Sequence, residues 1–174
     1  MIELLILYVI LKRDLTMYAI QKHINDKFAP FTKPSFGALK PALRRLEDKQ
    51  CLTSRKLMSD GGKLSVYYEI SKTGINELKR LILEDLSDNP LQFLSNARIK
   101  LSCADCLNPE EKKRLFFSVK TRLMQFKTAA QNILNNEYNQ TDFYQKVILD
   151  NAICEYKNFI LIVEGLEKDN AGNS

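Results

Sequence analysis

Hydrophobic positions along the chain first recur at helical spacing, then alternate, then return to helical spacing. Ile2 to Leu11 is apolar at nearly every position apart from Glu3, and Lys12-Arg13-Asp14 ends the run. A helix with so little polar face must be covered on several sides, which suggests a second module or a partner subunit. A second helix follows, with Thr16 as its N-cap and Ile20, Ile24 and Phe28 as a buried stripe. Pro30-Phe31-Thr32-Lys33-Pro34 cannot continue that helix. Ser35 then caps a third helix reaching Lys49. Leu39, Leu43 and Leu46 form its apolar stripe, and Lys40 and Arg44 share another face, one turn after Gly37.

Beyond Lys49 the period changes to two. Leu52 to Met58 reads as one strand and Lys63 to Ile70 as another, with Leu64, Val66, Tyr68 and Ile70 on one face. Ser59-Asp60-Gly61-Gly62 between them is a turn signal, and Arg55, Lys56 and Lys63 give the hairpin a basic flank. A lone hairpin is marginal in water, so it must pack on the helices. Ser71 caps a further helix with Ile75, Leu78, Leu81 and Ile82 inward. Helix, turn, basic helix and basic hairpin, in that order, predict a winged helix-turn-helix.

Helical spacing then resumes. Ser87-Asp88-Asn89-Pro90 is a break, and Leu91, Phe93, Leu94, Ile99 and Leu101 read as a short helical connector. Asn108-Pro109-Glu110-Glu111 is a helix start. Phe116, Val119, Leu123, Phe126, Ala130 and Ile133 follow at heptad-like intervals, fitting a helix pair within one chain or between two. After the polar break at 135–140, Thr141 caps a last helix whose apolar arc is too broad for one partner helix, which implies a second subunit. The fold class is therefore mainly α with a small β-hairpin. Residues 1–86 form a winged-helix DNA-binding domain, 87–168 a helical dimerisation domain, and 169–174 a disordered tail.

Charge sharpens this division. Residues 1–80 carry 15 Lys+Arg against 8 Asp+Glu, and residues 81–174 carry 11 against 13. A basic half joined to a slightly acidic half suggests polyanion binding in the first and assembly or sensing in the second. The apolar start is too short to cross a bilayer and lacks the flanks of a signal peptide, so a cytoplasmic protein without a membrane partner is expected. Cys103-Ala104-Asp105-Cys106 has no second pair, and the single histidine, His23, is remote. Free thiols are expected, with no metal and no cofactor. No nucleophile lies beside a histidine and no glycine loop could cradle a phosphate, so no enzyme is expected.

Three motifs carry a resemblance. They are Leu15-Thr16-Met17-Tyr18-Ala19-Ile20, the stretch from Ser35 to Glu47, and Tyr67-Tyr68-Glu69-Ile70-Ser71-Lys72-Thr73-Gly74. In this order and spacing the chain resembles the PadR family of bacterial transcriptional regulators along nearly its full length. The resemblance implies a homodimeric regulator of double-stranded DNA, usually a repressor relieved by a small effector. Thr16-Met17 stands where the family usually has His-Gly, Lys40 where a tyrosine is common, and Gln50 where a glycine closes the third helix. Pro41 suggests an irregular first turn in that helix.

The expected DNA contacts follow. Lys40 and Arg44 read or clamp, and Gly37 allows close approach. Thr16, Tyr18, Lys33, Ser35 and Lys63 hold phosphates. Tyr67 lies on the outward face of the wing, and Tyr68 reads as core. Phe93, Phe116, Phe126 and Tyr156 read as core rather than an effector cavity. The alternative function is a winged-helix module that binds protein and not DNA.

Overall fold

The computed structural model describes residues 1–58, 62, 64–136 and 142–172. Its elements run α1 (Ile2–Ile10), β1 (Leu15–Thr16), α2 (Met17–Phe28), α3 (Phe36–Asp48), β2 (Leu52–Met58), β3 (Leu64–Ile70), α4 (Lys72–Leu83), α5 (Pro90–Ser102), α6 (Pro109–Asn135) and α7 (Phe143–Gly172). The predicted class holds, mainly helical with one small sheet. The chain forms two compact units: Met1–Glu84 with Leu91–Cys106, and Asp85–Pro90 with Leu107–Ser174.

In the first unit α1 is the centre. Leu4, Leu5, Ile6, Leu7 and Ile10 are essentially fully buried, because α2, α3, α4 and β3 all pack on this helix. Its apolar surface is thus covered within its own chain, which corrects the expectation of a second module or partner subunit around it. The local signals behave as predicted. Thr16 Oγ1 accepts from the Ala19 N–H at 3.3 Å, Ser35 Oγ from Ala38 at 3.3 Å and Ser71 Oγ from Gly74 at 3.0 Å. The stripes Ile20–Ile24–Phe28 and Leu39–Leu43–Leu46 are buried. Helix α3 runs unbroken through Pro41, without the expected irregular turn. The residue four before Pro41 is Gly37, which has no side chain to add to the crowding.

The sheet has three antiparallel strands in the order β1-β3-β2. Strands β2 and β3 pair from Leu52↔Ile70 to Met58↔Leu64, and β1 adds Leu15↔Tyr68 and Thr16↔Tyr67. A two-residue strand leaves no periodicity to read, so the sequence pointed to two strands only. The turn residues Ser59, Asp60 and Gly61 lie outside the described residues, and Gly62 has φ +72°. Only the base of the hairpin reaches the helices. Leu52 is buried and Ile70 half-buried, but Leu64 is 59% exposed and Val66 is also exposed. The alternation on β3 is real, yet its outer half has nothing to pack against. In α4, Leu78, Leu81 and Ile82 are buried as predicted, whereas Ile75 is exposed. The core-facing place in that first turn is taken by buried Gly74.

Helix α5 belongs to the first unit, not to the C-terminal module in which the sequence boundary placed it. Phe93, Leu94, Ala97 and Ile99 are buried. Ser95 Oγ donates to the Phe31 carbonyl at 3.1 Å and the Tyr8 hydroxyl to that of Ser102 at 3.4 Å. Buried Lys100 places its ammonium on the Glu84 carbonyl at the C-terminal end of α4, where a cation meets the negative end of the helix. Helix α4 ends at Leu83, before the predicted break at Ser87–Pro90, and α5 then packs within the first unit. Cys103 and Cys106 are free thiols in this segment. Burial first, then neighbouring Cys106 and Asp105, pushes the Cys103 thiol up in pKa. Among the described residues no group of His, Cys, Asp or Glu could hold a metal ion.

The end of α3 carries a strained residue. The Cys51 N–H donates to the Leu46 carbonyl and the Gln50 N–H to that of Glu47, both at 2.8 Å, a Schellman closure. That closure needs left-handed backbone, and Gln50 has φ +56°. A side chain there costs about 1 kcal/mol relative to glycine. Gln50→Gly should therefore raise the melting temperature by roughly 4–8 °C. A thermal melt showing a lower midpoint than wild type would refute this account of the turn.

The second unit is a pair of long helices packed along each other. Asn108 and Glu111 form a reciprocal capping box at the start of α6, both bonds at 2.8 Å. Phe116, Val119, Leu123 and Ala130 of α6 are buried, as are Ile153, Tyr156, Phe159, Ile160 and Val163 of α7. Half-buried Phe126 meets Tyr156 with ring centroids 6.0 Å apart. The heptad-like seam thus closes within one chain from Phe116 to Ala130, while Ile133, its last predicted member, is exposed. Thr141 lies outside the described residues, and Asp142 Oδ1 accepts from the Gln145 N–H at 2.8 Å at the start of α7. Helix α7 continues to Gly172, correcting the expected disordered tail over 169–172. Asn170 is buried there, and its amide donates to the Pro109 carbonyl at 3.2 Å. Among the described residues no helix is long and apolar enough to cross a membrane.

Candidate nucleic-acid interface

Helix α3 is held by its leucines and shows a second face to solvent. Gly37, Lys40 and Arg44 are all exposed on it. Neither Lys40 nor Arg44 has an ion-pair partner among the described residues. Two other cations of the same helix end are already engaged. Arg45 Nε meets Glu3 Oε1 at 2.7 Å, and Lys49 Nζ meets Glu3 Oε2 at 3.3 Å. Burial pushes the Glu3 carboxyl up, but the hydrogen bonds from Arg45 and Lys49 outweigh it and hold the pKa below the usual range. Glu3 thus anchors α1 to the C-terminal part of α3 and engages both of these cations. The unpaired positive charge of α3 is left at Lys40 and Arg44.

The N-terminal end of α3 is built differently. Gly37 is open, and the nearest atom to an added Cβ would be Ser35 Oγ at 3.7 Å. Ser35 caps the helix and is exposed. Lys33 is exposed in the preceding connection, which the Gln21 amide ties to α2 by donating to the Pro34 carbonyl at 3.1 Å. Tyr18, in the first turn of α2, is 69% exposed, and its ring stacks on Phe36 with centroids 6.3 Å apart and planes 17° off parallel. The structure therefore brings Tyr18 to the start of α3, beside Ser35 and Gly37. The sequence reading assigned no role to Phe36. Its signal was present, a bulky aromatic directly after a helix cap, where burial was not required.

The remaining expected contacts fall on the sheet. Thr16 and Tyr67 are cross-strand partners, and Arg55 lies opposite Tyr67 on β2, so the three form one row across one face. Both Thr16 and Tyr67 are half-buried. Thr16 Oγ1 is already an acceptor in its cap, which leaves its hydroxyl proton to donate. Arg55 is paired with Asp14, the residue before β1. Lys63 lies outside the described residues. Tyr68, on the opposite sheet face, is half-buried. Burial raises its pKa first, Glu47 adds to this and Arg44 opposes it. The base of the wing thus lies against the outer part of α3.

This arrangement holds no nucleophile, acid–base pair or phosphate-cradling loop among the described residues. It offers exposed cations, hydroxyls and aromatic rings grouped around one helix, which suits a polyanion with readable edges. Residues 6–80 match the model of the transcriptional regulator PadR-like family. No curated protein matches the chain. Among solved structures, Bacillus subtilis PadR in complex with operator DNA is 17% identical, over 97% of this chain and 96% of that chain, with a TM-score of 0.46. A PadR family transcription regulator from hypervirulent Clostridium difficile is 28% identical over 45% of this chain and 79% of that chain, with a TM-score of 0.41. Bacillus subtilis PadR in complex with p-coumaric acid is 18% identical over 97% of this chain and 98% of that chain, with a TM-score of 0.43.

Proposed function

From the match of residues 6–80 to the transcriptional regulator PadR-like family we infer that the chain is a regulator of that kind and acts as a homodimer on an inverted-repeat operator. Each α3 enters a major groove, and each wing touches the adjacent backbone. Two-fold symmetry sets the half-sites one helical turn, about 34 Å, or a multiple of it apart. The observation that carries this reading is the face of α3. Lys40 and Arg44 stand exposed and unpaired among the described residues, while Arg45 and Lys49 beside them both pair with Glu3. Lys40 clamps the backbone and Arg44 reads a base edge, with Gly37 letting the helix come close. Thr16, Tyr18, Lys33, Ser35 and Lys63 hold phosphates and set register, and Tyr67 supports them from the wing.

The second unit supplies the reason for a dimer. After α6 and α7 have packed on each other, Phe117, Met124, Leu161 and Ile162 remain exposed, the first 67% and Leu161 65%. Large apolar side chains left out on a two-helix unit favour association. Repression relieved by a small effector is the mode of regulation that the family resemblance implies.

A titration of duplex DNA at two salt concentrations tests the reading. Two protomers, each placing Lys33, Lys40 and one wing cation on phosphates, make about six contacts and should lose about a thousandfold in affinity between 50 and 200 mM salt. The saturated complex should hold two chains per duplex. Binding indifferent to salt, or none at all, would leave the protein-interaction module as the better account.

A further inference from the structure

Resting on the duplex-binding reading above, we propose that Phe36 reads a thymine in the operator by packing its ring on the C5-methyl group, with Tyr18 holding that ring in place. Phe36 is the first residue of α3, directly after the cap Ser35. In a helix-turn-helix the N-terminal residues of the recognition helix are those that meet base edges. Phe36 is 41% exposed, so core packing alone does not account for it. A single exposed apolar side chain is ordinary. Here the ring is stacked on a second exposed ring, Tyr18, at 6.3 Å and 17°. That stack fixes its orientation before any partner arrives, which reduces the ordering cost of binding. Gly37 beside it is open, and Lys40 follows one turn later on the solvent side.

The chemistry then narrows the target. A phenyl ring has no hydrogen-bond donor or acceptor, so it cannot read the polar pattern of a base edge. The one apolar group in the major groove is the thymine methyl. Phe36 therefore adds specificity of a kind that Lys40 and Arg44, which need acceptors, do not supply.

The test begins with a duplex selected by the wild-type protein from random DNA. Each thymine in a half-site is replaced in turn by uracil, which removes only the methyl. Wild type should lose about 4-fold in affinity per half-site at one position, the value of one buried methyl. Phe36→Ala should bind the parent duplex more weakly by a similar factor and be indifferent to uracil at that position. Tyr18→Phe, which keeps the stack, should retain the discrimination. Melting temperatures equal to wild type would show that the variants are folded, as the exposure of both rings leads one to expect. A uracil penalty that persists unchanged in Phe36→Ala, or a selected operator with no methyl-sensitive thymine, overturns the proposal while leaving DNA binding intact. Failure of wild type to bind any duplex overturns both.

Discussion

Gly74→Ala is expected to destabilise the winged-helix unit by about 3 kcal/mol or more, lowering its melting temperature by roughly 10–20 °C. A Cβ at Gly74 would lie 2.1 Å from the Cys51 carbonyl oxygen, 2.7 Å from Ile70 Cγ1 and 3.0 Å from the Cys51 carbonyl carbon. Two of these are backbone atoms that no rotamer change can move. Cys51 is fixed from both sides. Its N–H closes α3 on Leu46, and its carbonyl accepts from the Ser71 N–H at 3.0 Å. Ser71 also donates its hydroxyl to the Gln50 carbonyl at 2.7 Å and caps Gly74. Relieving the clash means lifting α4 off the joint between α3 and β2 and breaking those bonds. The same substitution at Gly165 of α7 is the control. That site is open, so the alanine should add about 0.5–1 kcal/mol through helix propensity. Denaturant unfolding of the two variants should thus move in opposite directions. A Gly74→Ala protein as stable as wild type would show that the joint is looser than its geometry.

Gly74 and Gln50 also mark how far the sequence can be read. Both stood in or beside motifs, one kept and one departing from the usual glycine; the left-handed turn at Gln50 was readable from the missing helix-closing glycine, but only the structure shows that Gly74 is a packing glycine. Features set within a few residues were legible. Thr16, Ser35, Ser71 and Asn108 cap where predicted, because a cap is a bond between neighbours. Strands β2 and β3 also begin and end close to their predicted limits. Features set by distant parts of the chain were not. Which elements cover α1, the return of α5 to the first unit and the pairing of Leu15-Thr16 with β3 are tertiary facts with no local signature. At the candidate interface, exposure of Lys40 and Arg44 followed from the leucine stripe. The engagement of Arg45 and Lys49 by Glu3, more than forty residues away, did not.

That difference leads to the sharpest expectation at the site. Arg44→Ala should weaken binding to the selected operator by about 1–3 kcal/mol, roughly 5- to 150-fold, for each half-site if its guanidinium is bidentate to a guanine. Arg45→Ala should change it little, since Arg45 already spends its charge on Glu3 at 2.7 Å. The two arginines are adjacent and carry the same charge, so a loss caused merely by removing one cation from α3 would appear in both variants. Arg44 is exposed, and its removal should leave stability within about 0.5 kcal/mol, separating a binding defect from a folding one. The form of the loss decides what Arg44 touches. A base contact lowers affinity for the operator more than for random duplex and leaves the salt slope as in wild type. A phosphate contact weakens all duplexes alike and reduces the magnitude of the slope by about 0.9 for each protomer. Equal losses from Arg44→Ala and Arg45→Ala would mean that α3 supplies charge alone, and the reading of bases would then rest on its N-terminal turn.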